Sequence, residues 1–172
     1  MKWLMAMVLG STSVAACGGL NETEVRARGA AVLIPFKKEL KQTLVDALAK
    51  GPEAAIEACA VEAPKIALRA STGGVTVGRA SLRLRNPGNL APSWVGPHLE
   101  GLSGPRVVAL EAGRVGYLEP IKVDAMCTTC HGKGIAAPIA GKLAERYPFD
   151  QATGYAEGDL RGAFWVELSA TP

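Results

Sequence analysis

The sequence predicts an α+β fold, in which N-terminal helices precede a small antiparallel sheet. Apolar residues recur at helical spacing over residues 25–48, and a second helical pattern follows over residues 52–63. Strand-like segments bounded by glycine and proline turns come later, without the regular helix–strand alternation that marks a parallel sheet. The chain has 172 residues, which is enough for one domain with a sizeable core and too few for two domains of typical size.

The two predicted helices have clear boundary signals. Asn21 is a favourable N-cap before an acidic first turn, and we expect the first helix to end at Gly51, with Pro35 kinking or dividing it. Pro52 suits the first position of the second helix. Pro64 is expected to end or restart that helix.

The second half of the chain predicts the sheet. Residues 79–85 alternate apolar side chains with arginines, which predicts a half-buried strand with an arginine-rich outer face. Residues 106–110 and 114–123 predict a β-hairpin that turns at Gly113. The remaining predicted elements are a turn at 86–89, a loop with a short helix around Trp94 at 90–104, a helix at 134–146 and a last strand at 161–168.

Residues 1–16 are typical of an export signal, so we divide the chain into this signal and a single domain over residues 17–172. Lys2 precedes an apolar segment that is too short to span a bilayer, and small residues follow it. Val14 to Gly18 also resembles a lipobox, which favours a lipidated Cys17 over simple cleavage after Ala16. The product is therefore expected in the periplasm, either anchored to the membrane by lipid or free.

The segment Cys127-Thr128-Thr129-Cys130-His131 is the attachment signature of c-type haem. Two thiols separated by two residues add to the two vinyl groups of one porphyrin, and the adjacent histidine becomes an axial ligand of the iron. A thioredoxin-like redox pair is disfavoured because no βαβ pattern surrounds the motif. A zinc site would need further ligands at zinc-finger spacing, and these are absent from the sequence. The motif predicts one covalent haem c, held by Cys127, Cys130 and His131.

The residue pattern leaves the second axial ligand open. Cys59 and His98 are both able to coordinate iron, but a lone loop histidine is usually exposed and a lone helical cysteine is usually a small buried apolar residue. Met126 directly precedes the motif and is expected on the side of His131, and every other methionine lies in the leader.

Four segments resemble a bacterial and cyanobacterial family of c-type haem proteins that has a PAS-like fold and no assigned function. They are residues 55–59 (AIEAC), 85–89 (RNPGN), 127–131 (CTTCH) and 147–163 (YPFDQATGYAEGDLRGA), and the resemblance spans residues 30–168. It implies a PAS-like antiparallel sheet with N-terminal helices. It also implies that a helix cysteine, here Cys59, is the iron ligand that accompanies His131.

Such His/Cys ligation implies a low reduction potential of the haem iron. It also implies that the cysteine leaves the iron on reduction, which would open a site for CO or NO. The resemblance therefore implies a redox or gas sensor, with a simple electron carrier as the alternative. A peroxidase would need distal acid–base residues, for which His98 alone is weak evidence, so we expect no enzyme. The net charge of +3 comes without a clustered basic face and does not suggest nucleic-acid binding. The redox or signalling partner is not predicted.

Several residues are candidates for a haem pocket. Cations near predicted strand ends would pair with haem propionates. For any single one of these cations, a solvated surface side chain is the more frequent situation. They are Arg85, Arg114, Lys122 and Arg161. Aromatic residues would line the pocket or belong to an ordinary core. They are Trp94, Tyr117, Phe149 and Phe164.

Overall fold

A computed structural model describes residues 21–169, which form helices followed by a four-stranded antiparallel sheet. The helices are α1 (Glu22–Leu48), α2 (Pro52–Glu57), a π-helical turn (Ala58–Glu62), α3 (Ala63–Ala70), α4 (Thr128–His131) and α5 (Ala137–Arg146). The strands are β1 (Thr76–Ala80), β2 (Arg106–Ala109), β3 (Arg114–Lys122) and β4 (Leu160–Ser169). The prediction of an α+β fold with N-terminal helices is confirmed.

Helix α1 begins as the sequence predicts. The Asn21 side chain accepts a hydrogen bond from the backbone N–H of Glu24 at 3.0 Å, and the Glu24 carboxylate accepts one from the N–H of Asn21 at 2.8 Å. Pro35 lies inside α1 without dividing it. Leu33 and Phe36 are buried on either side of this proline, and their packing stabilises the helix where a hydrogen bond is missing.

The second helical segment is longer than predicted because it continues beyond Pro64. Helix α2 passes directly into the π-helical turn, which closes where the N–H of Ala63 bonds to the carbonyl of Ala58. Pro64 then occupies the first turn of α3, directly after the π turn. The helical segment therefore neither ends nor restarts at Pro64 but runs through it, and Cys59 lies in the wider π turn.

The sheet has the strand order β1-β4-β3-β2, so the last strand of the chain lies inside it. Strands β2 and β3 form the predicted hairpin, in which Gly113 and Ala112 both have positive φ angles, of 67° and 53°. Strand β4 pairs with β3 on one side and with β1 on the other. The haem motif and α5 occupy the connection from β3 to β4.

The predicted strand over residues 79–85 is wrong in position, because β1 covers Thr76–Ala80. The chain leaves the sheet at Ser81, whose buried hydroxyl donates to the carbonyl of Arg161 at 2.8 Å. The prediction assumed that one face of the strand is solvated, but both faces of this sheet are covered. The predicted arginine-rich outer face of the strand therefore does not form.

Two apolar clusters cover the two faces of the sheet. On one face α1 and α3 pack against β1, β3 and β4 through a cluster that includes Leu33, Phe36 and Ile66. On the other face the segment over residues 91–102 packs against the sheet, with Leu99 and Leu102 fully buried. The loop predicted around Trp94 thus forms a third layer, with a short 3-10 helix at Gly96–His98.

The predicted export signal and Cys17 lie outside the described residues and stay predictions. Between residues 21 and 169, none of the helices is long and apolar enough to cross a membrane.

We predict that Gly29→Ala destabilises the protein although alanine favours helices. A Cβ atom at this position in α1 would lie 2.4 Å from ring atoms of Tyr117, which is buried in the core. Overpacking of this kind costs about 1–3 kcal/mol, more than the up to about 1 kcal/mol gained in helix propensity. Denaturant unfolding measures the change.

The matched control is Gly141→Ala in α5, where a Cβ atom would meet nothing within 4 Å. This variant should gain up to about 1 kcal/mol of stability. Equal effects of the two substitutions would contradict the packing of α1 on β3.

Candidate functional site

The described residues enclose a cavity of about 410 Å³ between the helices, the sheet and the segment that follows β3. Its volume lies in the range of about 300–1,000 Å³ that is typical of cofactor pockets. The wall is largely apolar, and four residues able to bind or ligate a haem lie on it: Cys59, Cys127, Cys130 and His131. The chain thus brings Cys59 together with a motif that lies about 70 positions further along the sequence.

The attachment motif is helical, which places its two thiols on one side. A 3-10 turn at Ala125–Cys127 leads into α4, so Cys127 and Cys130 are three residues apart on a helix. The motif ends at Gly132, where a Cβ atom would lie only 2.5 Å from the carbonyl oxygen of Thr128. Glycine is therefore required where the chain turns away from the motif.

A backbone carbonyl fixes the orientation of His131. The imidazole Nδ1 lies 2.6 Å from the carbonyl oxygen of Ala152, which has no proton to give, so Nδ1–H donates. Nε2 is then the nitrogen with a free electron pair, and a carbonyl on the other nitrogen is the usual support of a ligating histidine. Burial and the nearby Arg85 and Arg161 lower the pKa of His131 to about 4. The ring is neutral near pH 7, as a ligand must be.

A buried ion pair holds the segment that carries this carbonyl. Arg85 donates from Nε and Nη2 to one carboxylate oxygen of Asp150, at 3.0 and 2.8 Å, and from Nη2 to the carbonyl of Cys130 at 2.6 Å. The other carboxylate oxygen of Asp150 accepts from the N–H of Ala152 at 2.8 Å. The two side chains are only 8% and 11% exposed. We call Arg85, Asp150 and Ala152 the clamp, because they tie the motif to the segment behind it.

Backbone hydrogen bonds reinforce the clamp. The N–H of Tyr155 donates to the carbonyl of His131 and the N–H of Gly154 to that of Gly132, both at 2.9 Å. The Tyr155 ring stands edge-on to the imidazole, with centroids 6.5 Å apart. The motif therefore has little freedom to rotate about its own helix axis.

Cys59 reaches the cavity from the π turn. Ile56, one turn before it, packs against Leu143 and Tyr147, and Cys130 and Ala60 lie at the edge of the same cluster. Burial raises the pKa of the Cys59 thiol, whereas the positive charges of Arg79 and Arg85 act to lower it. Cys59, Cys127 and Cys130 are all free thiols.

Residues 21–169 match the model of one protein family, described as Tll0287-like. The chain belongs to the Tll0287-like family. A crystal structure of the cyanobacterial haem protein Tll0287 has the same fold, with a TM-score of 0.53 at 22% sequence identity. The match covers 87% of this chain and 97% of that one. No curated protein matches the chain significantly.

In this Tll0287-like protein the sequence-predicted candidates separate into two groups. The cavity wall includes Arg85, Lys122, Arg161, Phe164 and Met126. Arg114 instead pairs with Glu167, Tyr117 belongs to the core, Trp94 packs on the opposite face of the sheet, and Phe149 is 88% exposed. Of the two open candidates for the second ligand, Cys59 lines the cavity, whereas His98 lies outside it, 3.2 Å from Arg106.

Sequence reasoning missed two site residues. Arg79 was assigned to a solvated strand face, but it lines the cavity because that face is covered. No role was predicted for Asp150, although it lies within residues 147–163, the most distinctive of the segments that resemble the family. The available signal was the need of Arg85 for a carboxylate partner.

We predict that Asp150→Asn lowers the free energy of unfolding by about 3 kcal/mol, because removing one partner of a buried pair leaves the other charge uncompensated. Chemical denaturation at constant pH measures this loss. The control is Glu62→Gln, which breaks the exposed pair with Lys65 and should cost less than about 1 kcal/mol. Equal losses in the two variants would show that the clamp contributes no more than a surface ion pair.

Proposed function

We propose that the chain is an exported, mono-haem c-type cytochrome with His/Cys-ligated iron and a role in redox or gas sensing. Cys127 and Cys130 form the thioether bonds, and His131 binds the iron through Nε2. The observation that carries the proposal is the hydrogen bond from His131 Nδ1 to the Ala152 carbonyl, because it leaves Nε2 free on the same cavity wall as the two thiols.

The cavity fits the cofactor by the chemistry of its donors. Two thiols, one imidazole and a third thiol lie on a mainly apolar wall. Arg161 and Lys122 on the same wall would supply cations for the propionates. Further support comes from Tll0287, a haem protein with the same fold. The PAS-like description of this fold, which the family resemblance implies, is part of the proposal.

Cys59 is proposed as the second iron ligand. Its position on the cavity wall supports this role, and so does the π turn that carries it, since such turns occur frequently at functional sites. His98, the competing candidate, has no access to the cavity. With Cys127 and Cys130 in thioethers and Cys59 on the iron, every cysteine of the described residues has a role.

The environment of Cys59 supports the sensing role. Burial raises the pKa of its thiol and so disfavours the anionic sulfur that binds iron best. A haem held here by Cys127, Cys130, His131 and Cys59 would supply a one-electron couple and, at the position of Cys59, a binding site for CO or NO. No enzymatic activity and no nucleic-acid partner is proposed.

An electron carrier is the second candidate. The observation in its favour is the clamp, which holds the motif rigidly and favours one coordination geometry in both oxidation states. In either role we place the protein in the periplasm, with residues 1–16 as the export signal and Cys17 as the site of a lipid anchor.

Cys59→Ser should shift the ferric absorption and electron paramagnetic resonance spectra from low spin towards high spin or another ligand set. A serine hydroxyl is a weak iron ligand compared with a thiolate. The control is Ala60→Ser, which places the same hydroxyl one residue along in the π turn and should leave the spectra unchanged. Unchanged spectra in Cys59→Ser would refute the ligation.

Exposure of the reduced protein to CO separates the two roles. If the protein is a sensor, the ferrous spectrum should change on CO addition, because Cys59 gives up its position. A ferrous spectrum that does not change on CO addition, together with six-coordinate iron in both oxidation states, would instead identify an electron carrier.

A further inference from the structure

The cations on the cavity wall form two groups that belong to different elements of the fold. One group lies on α1 and at the end of β3, and its members are Lys37, Lys41 and Lys122. The other lies on β1, in the segment after it and at the start of β4, and its members are Arg79, Arg85 and Arg161. A haem carries two anionic propionates, so their placement depends on which of these cations is free to bind a carboxylate.

The lysines already have partners or contact water. Lys37 pairs with Glu119, and Lys41 pairs with Asp124 at 3.2 Å. Lys122 is exposed. A propionate bound at this group would have to replace an existing partner or compete with water, and exposed ion pairs contribute little to binding or stability.

Arg161 has no carboxylate partner in the part of the chain that the structure describes. Asp150 is the carboxylate that acts on it electrostatically, but Asp150 is already bound by Arg85 and by the N–H of Ala152. Arg161 is only half-exposed to water. A guanidinium in this situation favours an anion at its free donors.

The contacts of Arg161 hold its side chain in place but leave its charge uncompensated. Nη1 donates to the Ser81 hydroxyl and to the Arg83 carbonyl, the latter at 3.1 Å. The guanidinium carbon lies 5.4 Å from the centre of the Tyr155 ring. Within residues 21–169, Nε and Nη2 make no hydrogen bond. Together these two donors form an edge of the guanidinium that can bind both oxygens of one carboxylate.

Ser81 fixes this geometry from the position directly after β1. It is 7% exposed, and its hydroxyl donates to the carbonyl of Arg161 at 2.8 Å while it accepts from Nη1 of the same residue. One serine therefore contacts both the main chain and the side chain of Arg161, and it lines the same cavity. An arginine that is already held in one conformation loses less conformational entropy when it binds an anion.

We propose that Arg161, positioned by Ser81, binds a haem propionate through Nε and Nη2. The assignment rests on the proposed function, since it requires haem in the cavity. Of the two cations Arg161 and Lys122, it selects Arg161 as the propionate partner. Ser81 is a positioning residue, because it acts on the propionate through Arg161.

The proton NMR spectrum of the ferric holoprotein tests this contact, because the paramagnetic iron separates the methylene signals of the propionates from those of the protein. Arg161→Gln and Arg161→Met should shift the methylene signals of one propionate more than any other haem signal. Both variants should also lower the reduction potential, since a propionate anion without its counterion favours ferric iron. Lys122→Gln should leave the propionate signals in place.

Ser81→Ala shows whether Ser81 acts through Arg161. It keeps every charge, so it tests the contact even if the Arg161 variants fail to fold, and it should shift the same propionate signals by a smaller amount. In the double variant with Arg161→Met, Ser81→Ala should add nothing, since no guanidinium remains to position. The matched control is Ser71→Ala, which removes a part-buried hydroxyl that accepts from the N–H of Val77 at 3.0 Å and lies outside the cavity. This control should leave the propionate signals unchanged.

Three results would contradict the account in different ways. Propionate signals that stay in place in the Arg161 variants and in Ser81→Ala, or that shift in Lys122→Gln instead, would overturn the contact while the haem remains bound. Additive effects of Ser81→Ala and Arg161→Met would overturn the positioning role of Ser81. A wild-type protein that carries no haem would refute the proposed function itself.

Discussion

The buried ion pair between Arg85 and Asp150 is the interaction on which the rest of the candidate site depends. Through Cys130 it fixes the attachment motif, and through the N–H of Ala152 it fixes the carbonyl that orients His131. Buried pairs contribute little net stability, but they select one geometry because any other leaves a charge unpaired. In this chain the selected geometry is the one in which Nε2 of His131 is left free on the wall of the cavity.

The sheet and its two covering layers explain how residues distant in sequence meet in this cavity. Helices α1 and α3 cover one face of the sheet, and the π turn between α2 and α3 presents Cys59. The motif enters from the connection between β3 and β4, and α5 packs back on α2. Because β4 is an inner strand, closing the sheet also brings the clamp segment against the motif.

Much of the fold could be predicted from local signals. The N-cap at Asn21 and the turn at Gly113 act within a few residues, and both predictions agree with the structure. The strand at 79–85 failed because its pattern shows alternation but not which layers cover the sheet. For the same reason Arg79 could not be placed in the cavity. Asp150 was missed because its partner is 65 positions away.

Covalent attachment of one haem is the central claim, and the mass of the purified chain under denaturing conditions tests it most directly. The protein should be produced in cells that attach haem outside the cytoplasm. It is then digested with a protease, and the masses of its peptides are measured. The account predicts a single haem that survives denaturation, on the peptide that contains Cys127 and Cys130. A chain whose mass equals that of its amino acids alone, or a haem lost on denaturation, would contradict it.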